Sequence, residues 1–204
     1  IKPYEYFGFA MSLGILLATN AVNVAHELGH RKNPFDIFAS RVLLLPCLYM
    51  HFTMEHNYGH HKNVATELDP ATAKEGQSLY HFWVTSVFGQ YKNAWQIQIK
   101  LLKNKKASFL SLENKLLLFS VYQIIYLATI YSFLGERALV LAFLVGIISF
   151  LFLETINYIE HYGLKRKKVG NKYERVQKIH SWNSDHIMGR IILYELTRHS
   201  DHHF

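Results

Sequence analysis

A single cysteine, Cys47, occurs among the 204 residues. One thiol can build neither an intrachain disulfide framework nor an all-thiolate metal centre. Any iron or zinc bound by this chain must therefore be held by histidine, of which there are 13. Charge is absent from long stretches: residues 6–25 and 116–135 are two runs of 20 without a charged side chain, and 138–153 adds 16 more. A bilayer core of roughly 30 Å takes about 20 apolar residues as helix, so these runs predict membrane spans. The mean hydropathy of +0.02 averages them with polar connections. A water-soluble globule fits this pattern poorly, and intrinsic disorder is excluded. Acidic residues are outnumbered, 15 against 22 Lys and Arg, for a net charge of +7. A nucleic-acid binder would interleave its cations with aromatics along a polar domain. Here they crowd into connections, at Lys100, Lys103, Lys105, Lys106 and Lys115, then at Lys165, Arg166, Lys167, Lys168, Lys172, Arg175 and Lys178. That is the positive-inside pattern of cytoplasmic loops, and no nucleic-acid partner is expected.

There is also no initiator Met, no signal peptide, no internal repeat and no low-complexity run. The chain reads as one domain over 1–204, a fragment cut at both ends. Its first span, 4–25, runs straight into His26-Glu27-Leu28-Gly29-His30, and Asn33-Pro34 breaks the pattern. Residues 35–54 are apolar but interrupted by Asp36, Arg41 and Pro46, which predicts a re-entrant or interfacial segment. Residues 77–98 carry Tyr80, Phe82, Trp83, Phe88, Tyr91 and Trp95, a composition that suits an interfacial helix. A helical hairpin is expected over 116–135 and 138–159, joined by Gly135-Glu136-Arg137. The fold class that follows is all-α, a membrane-embedded helical bundle. The hairpin leaves from and returns to the Lys-rich side, so the histidine clusters can share one face, the cytoplasmic one, only if 35–54 does not cross.

Nine of the 13 histidines fall into four groups: His26 with His30, His56 with His60 and His61, His161 alone at a span end, and His199 with His202 and His203. On a helix, residues three or four apart share a face, so each pair can present two imidazoles to one ion. Nine exceed the four that a tetrahedral zinc takes, and two ions with four or five ligands each fit better. Each group also carries an acid beside a histidine: Glu27, Glu55, Glu160 and Asp201. A metal-bound histidine gives its second N–H to a carboxylate, carbonyl or water. These acids are candidates for that role, with direct ligation also compatible. The single His51, His81, His180 and His186 read as packing or interfacial residues. His26-Glu27-x-x-His30 matches the zinc-protease pattern too, but such a site needs one further ligand and leaves six of the nine unexplained.

Four motifs, HELGH (26–30), EHNYGHH (55–61), NYIEHYGL (157–164) and LTRHSDHH (196–203), give the chain its resemblance to the integral-membrane alkane 1-monooxygenases, the non-haem di-iron alkane hydroxylases. Order and spacing match throughout, and NYIEHYGL separates this family from the fatty-acid desaturases and hydroxylases that share its histidine scheme. The resemblance implies a six-span bundle, of which three clear spans are present. It further implies two iron ions held by His26, His30, His56, His60, His61, His161, His199, His202 and His203. Glu27, Glu55, Asn157, Glu160 and Asp201 would orient those ligands. The implied reaction takes O₂ as co-substrate and converts n-alkanes to 1-alkanols. Electrons would come from a rubredoxin, itself reduced by an NADH-dependent reductase. The implied setting is the inner membrane of a bacterium, multi-pass, with the site facing the cytoplasm. One departure is Thr197, where Gln is common in the family. A xylene monooxygenase-like enzyme and a lipid desaturase or hydroxylase are the nearest alternatives. A metal transporter would carry ligands near the bilayer midplane, whereas here they sit at span ends. The basic loop 165–178 is open to two readings, an acceptor for an acidic electron carrier or topogenic charge.

Overall fold

The computed structural model describes residues 2–200, which are mostly helical. Helix α1 runs over Pro3–Gly29. Pro3 occupies its first turn, where a missing N–H costs nothing, and Glu5 accepts from the Lys2 backbone N–H at 2.7 Å. Its middle, Leu17–Val22, widens into a π-helical stretch. The polar side chains there bond back to the helix: Thr19 Oγ1 donates to Ile15 O (2.9 Å) and Asn23 Nδ2 to Thr19 O (2.9 Å). This satisfies polar groups that a bilayer would leave unsolvated.

Helix α2 spans Pro34–Leu44, started by the Asn33 side chain, which accepts from the Phe35 N–H at 3.0 Å. Its 11 residues make about 16 Å of helix, too short to cross a bilayer. Helix α3 covers 52–63 and contains a second π-helical stretch, His56–His60. Helix α4 is the aromatic-rich segment and runs over Leu79–Asn104. Helix α5, Lys115–Leu134, is capped by Asn114, whose side chain accepts from Leu117 N–H. Gly135 then turns the chain at φ 81°, a conformation open to glycine, and α6 follows over Glu136–His161. Pro3–Gly29 and Lys115–His161, the latter including that turn, are long and apolar enough to cross a membrane, with mean hydropathies of 1.5 and 2.5. Beyond α6, Lys168–Val169 pairs antiparallel with Lys172–Tyr173 around Gly170, and a short helix α7 spans Ile187–Ile192.

The chain divides into two compact units, Ile1–Thr53 with Ala94–Leu153 and Met54–Asn93 with Glu154–Phe204. In the first, small residues let helices meet closely. A Cβ on Gly14 of α1 would stand 2.5 Å from the Ile148 side chain of α6. Ser40 Oγ of α2 donates to Ala25 O of α1 at 2.6 Å. The outer faces stay apolar: Phe7, Phe9 and Ile124 are exposed, and Phe133 is 83% exposed. Helices apolar all round belong in a core or in lipid, and these faces are lipid-matched.

The second unit buries polar groups instead. Glu154 accepts from Ser86 Oγ (2.6 Å) and from Gln90 Nε2 (2.8 and 2.9 Å). Glu55 accepts from Asn93 Nδ2 at 2.8 Å. Both carboxyl groups are fully buried. Tyr158 OH donates to Gln77 O (2.6 Å), and Gly76 N–H donates to Tyr162 OH (2.9 Å), so the end of α6 is tied to the loop before α4.

Candidate metal centre

The π-helical stretch in α3 decides how its three histidines divide. On a regular α-helix His56 and His61, five apart, would point about 140° away from each other. Widening the turn brings them to one side, and their Nε2 atoms stand 3.0 Å apart. At that distance the two nitrogens either share a proton or converge on one cation. His60 turns instead toward His161 and His199. Ring centroids are 4.9 Å apart for His60–His161, 5.0 Å for His161–His199 and 6.4 Å for His60–His199. One ligand atom from each of these three lies within 4.8 Å of the other two. All three side chains are buried. Spacing alone pairs His56 with His60, and their rings do stack at 5.2 Å, but their ligand atoms fall into different groups.

Each member of the trio has an oxygen beside its Nδ1. His60 Nδ1 is 2.9 Å from Asp69 Oδ2, His161 Nδ1 is 3.3 Å from the His180 carbonyl, and His199 Nδ1 is 3.4 Å from Glu160 Oε2. A proton on Nδ1 donated to oxygen leaves the Nε2 lone pair for a metal, the arrangement that metal-bound histidines adopt. Asp69 is itself fixed, accepting from Thr72 Oγ1 (2.5 Å) and Ala71 N–H (3.1 Å). Burial alone would lower the His60 pKa, but the charge and hydrogen bond of Asp69 raise it above the ordinary imidazole value. Burial opposes ionisation of Asp69 as well, yet the His60 ring holds its carboxyl below the usual range. Burial, then the charge of Asp69, push Glu55 up to about 8. Once a metal displaces the Nε2 proton that Asp69 favours on His60, three imidazoles in this arrangement fit a divalent ion of the iron-to-zinc range.

In the first unit His26 is buried and His30 exposed, one turn apart, with ring centroids at 5.0 Å. Glu27 lies 3.7 Å from His26 Nδ1 and is itself largely exposed. Glu160 reaches His199 rather than its neighbour His161, while Asn157 is buried one turn before. Asp201, His202 and His203 lie outside the described residues. Of the single histidines, His51 packs on Tyr49 at 4.3 Å, and His81 and His186 are exposed. His180 does more than pack, since its backbone carbonyl faces a candidate ligand.

Sequence reasoning missed Asp69, which stands in a turn before Pro70 with no periodicity linking it to His60. It also missed Ser86 and Gln90, whose four-residue spacing on α4 was legible but whose partner Glu154 lies far along the chain.

The model of the family described as fatty acid desaturase matches residues 4–204. The chain belongs to the fatty acid desaturase family. This desaturase-family chain is 40% identical over all of its 204 residues to alkane 1-monooxygenase 1 of Alcanivorax borkumensis, covering 50% of that protein. It is 42% identical over 184 residues, 90% of the chain, to the alkane 1-monooxygenase of Acinetobacter baylyi, covering 45% of it. The xylene/toluene monooxygenase hydroxylase component of Pseudomonas putida is 30% identical over 203 residues, 99% of the chain and 54% of that protein. The chain thus spans about half the length of the curated relatives it matches. Family, helical build and apolar helices together make this a membrane protein with histidine clusters suited to metal.

Proposed function

We propose that the protein hydroxylates the terminal methyl of n-alkanes to 1-alkanols at a histidine-ligated di-iron centre, using O₂ and electrons from rubredoxin. The rubredoxin would be kept reduced by an NADH-dependent reductase. The observation that carries the reading is the trio His60, His161 and His199, each with an oxygen near Nδ1 and one ligand atom within 4.8 Å of the other two. On this reading His26, His30, His56, His61, His202 and His203 complete the ligands of two irons. Iron, when bound, would supply the one-electron and O₂ chemistry that no side chain offers. The chain's own residues orient the ligands. Asp69 and the His180 carbonyl orient His60 and His161, Glu160 stands beside His199, and Glu27, Glu55, Asn157 and Asp201 support the rest. An alkane has no polar handle, so it is bound by burial, at about 0.8 kcal/mol per CH₂. The relatives named alkane 1-monooxygenase support this substrate class. The proposed setting is a bacterial inner membrane, multi-pass, with the centre facing the cytoplasm.

The test is metal analysis of the full-length protein, together with conversion of octane in the presence of NADH, rubredoxin and its reductase. Two irons per chain and 1-octanol are the expected result. Iron with turnover of xylenes but not octane would favour the second reading, to which the 30% identity to the xylene/toluene monooxygenase component points. Zinc alone, or iron without hydroxylation of either substrate, would overturn both.

A further inference from the structure

We propose that the groove between α2 and α5 is a binding site for one anionic phospholipid, independent of the metal centre. A cavity of about 500 Å³ lies within the first unit, between two stripes of side chains. Phe38, Arg41 and Val42 recur at helical spacing along α2, and Leu45 caps it. Opposite them, α5 contributes Lys115, Leu118, Phe119, Tyr122, Ile125 and Thr129, one face over four turns. From Lys115 to Thr129 the groove follows about 21 Å of helix, enough for an acyl chain in one leaflet of a roughly 30 Å core. The volume lies in the range of small-molecule sites.

Both cations sit at one end. The Arg41 guanidinium stands 5.5 Å above the ring of Phe119, one helical turn from Lys115. Lys115 Nζ donates to Leu112 O at 2.9 Å, at the mouth of the same stripe. The carboxylate nearest to Lys115 in sequence, Glu113, is held by Lys105 at 2.6 Å. Two cations heading an apolar groove match a phosphate joined to an acyl chain, and basic pockets between membrane helices recognise such headgroups. An alkane offers nothing to the charges. On the groove walls Phe38 and Ile125 are more than half exposed, so an occupant can enter from the side.

Native mass spectrometry of the full-length protein, titrated with phosphatidylglycerol or phosphatidylcholine, tests the site. Phosphatidylglycerol should be retained preferentially. Arg41→Gln or Lys115→Gln should each lower its retention roughly fivefold, the value of one membrane-facing cation. Ile125→Trp, which fills the groove and keeps both charges, should lower it as well. Iron content reports folding of each variant, and half-exposed Lys115 serves as the second probe if Arg41→Gln does not fold. Equal retention of the two lipids, or retention unaffected by Lys115→Gln and Ile125→Trp, would overturn the proposal. Displacement of the lipid by equimolar oleate would reassign the groove to free fatty acids and overturn it too.

Discussion

The two units use the same helical material and bury opposite things. The first hides small and apolar groups, such as Ala10, Gly14, Ala25 and Leu44, and turns large apolar side chains outward. The second encloses Glu55, His60, Asp69, Glu154, His161 and His199. Outside a membrane the first arrangement would be inside out. In lipid the apolar exterior is neutral, and close helix approach through small residues supplies the packing. The second unit offsets part of the cost of desolvating polar groups by pairing them, as in Glu154 with Ser86 and Gln90, Glu55 with Asn93 and His60 with Asp69. Packing in the first unit therefore rests on shape, and in the second on oriented polar groups.

The sharpest break between them is expected at the histidine trio. His161→Ala in the full-length protein should lower hydroxylation by more than about 100-fold and reduce bound iron. Normal iron and turnover would remove His161 from the ligand set. Asp69→Asn keeps the shape but replaces the carboxylate that orients His60, and should cost about 10–100-fold in iron affinity. Titration with a competing chelator measures this, and unchanged affinity would reduce Asp69 to a turn residue. In the first unit the effect should appear in stability. Gly14→Val forces a side chain against Ile148 and should cost about 1–3 kcal/mol, read as a lower Tm in detergent with iron per folded molecule unchanged. The smallest effect is expected at Gly8, where nothing lies within 4 Å of an added Cβ. Gly8→Leu should not destabilise the protein, and helix propensity favours it by at most about 1 kcal/mol. A Gly8→Leu variant as unstable as Gly14→Val would mean that packing does not distinguish the two positions.

Much of this contrast was legible in advance. Charge-free runs marked α1, α5 and α6, and the Gly135 turn fell where the hairpin was expected. Asp36, Arg41 and Pro46 interrupt the apolar run over 35–54, and helix α2 there has 11 residues. The helix expected over 77–98 extends to Asn104, because Lys100, Leu101 and Leu102 are good helix formers with no breaker among them. The two-residue strand pair around Gly170 had no periodic signal to announce it. Within the site, the histidines were legible as residues but not as partners.

The sequence by itself determined the helical, bilayer-matched material and which histidines are candidates to hold a metal. Hydropathy runs and three- or four-residue spacing are local properties, and local properties survive without a fold. Only the tertiary structure decided that His56 turns its Nε2 to His61 while His60, stacked on His56, also gathers His161 and His199. It also decided which oxygen faces each Nδ1 of that trio. Those choices depend on a π-helical turn and on segments far apart in the chain, where a difference of a few tenths of an ångström separates a hydrogen bond from a mere neighbour.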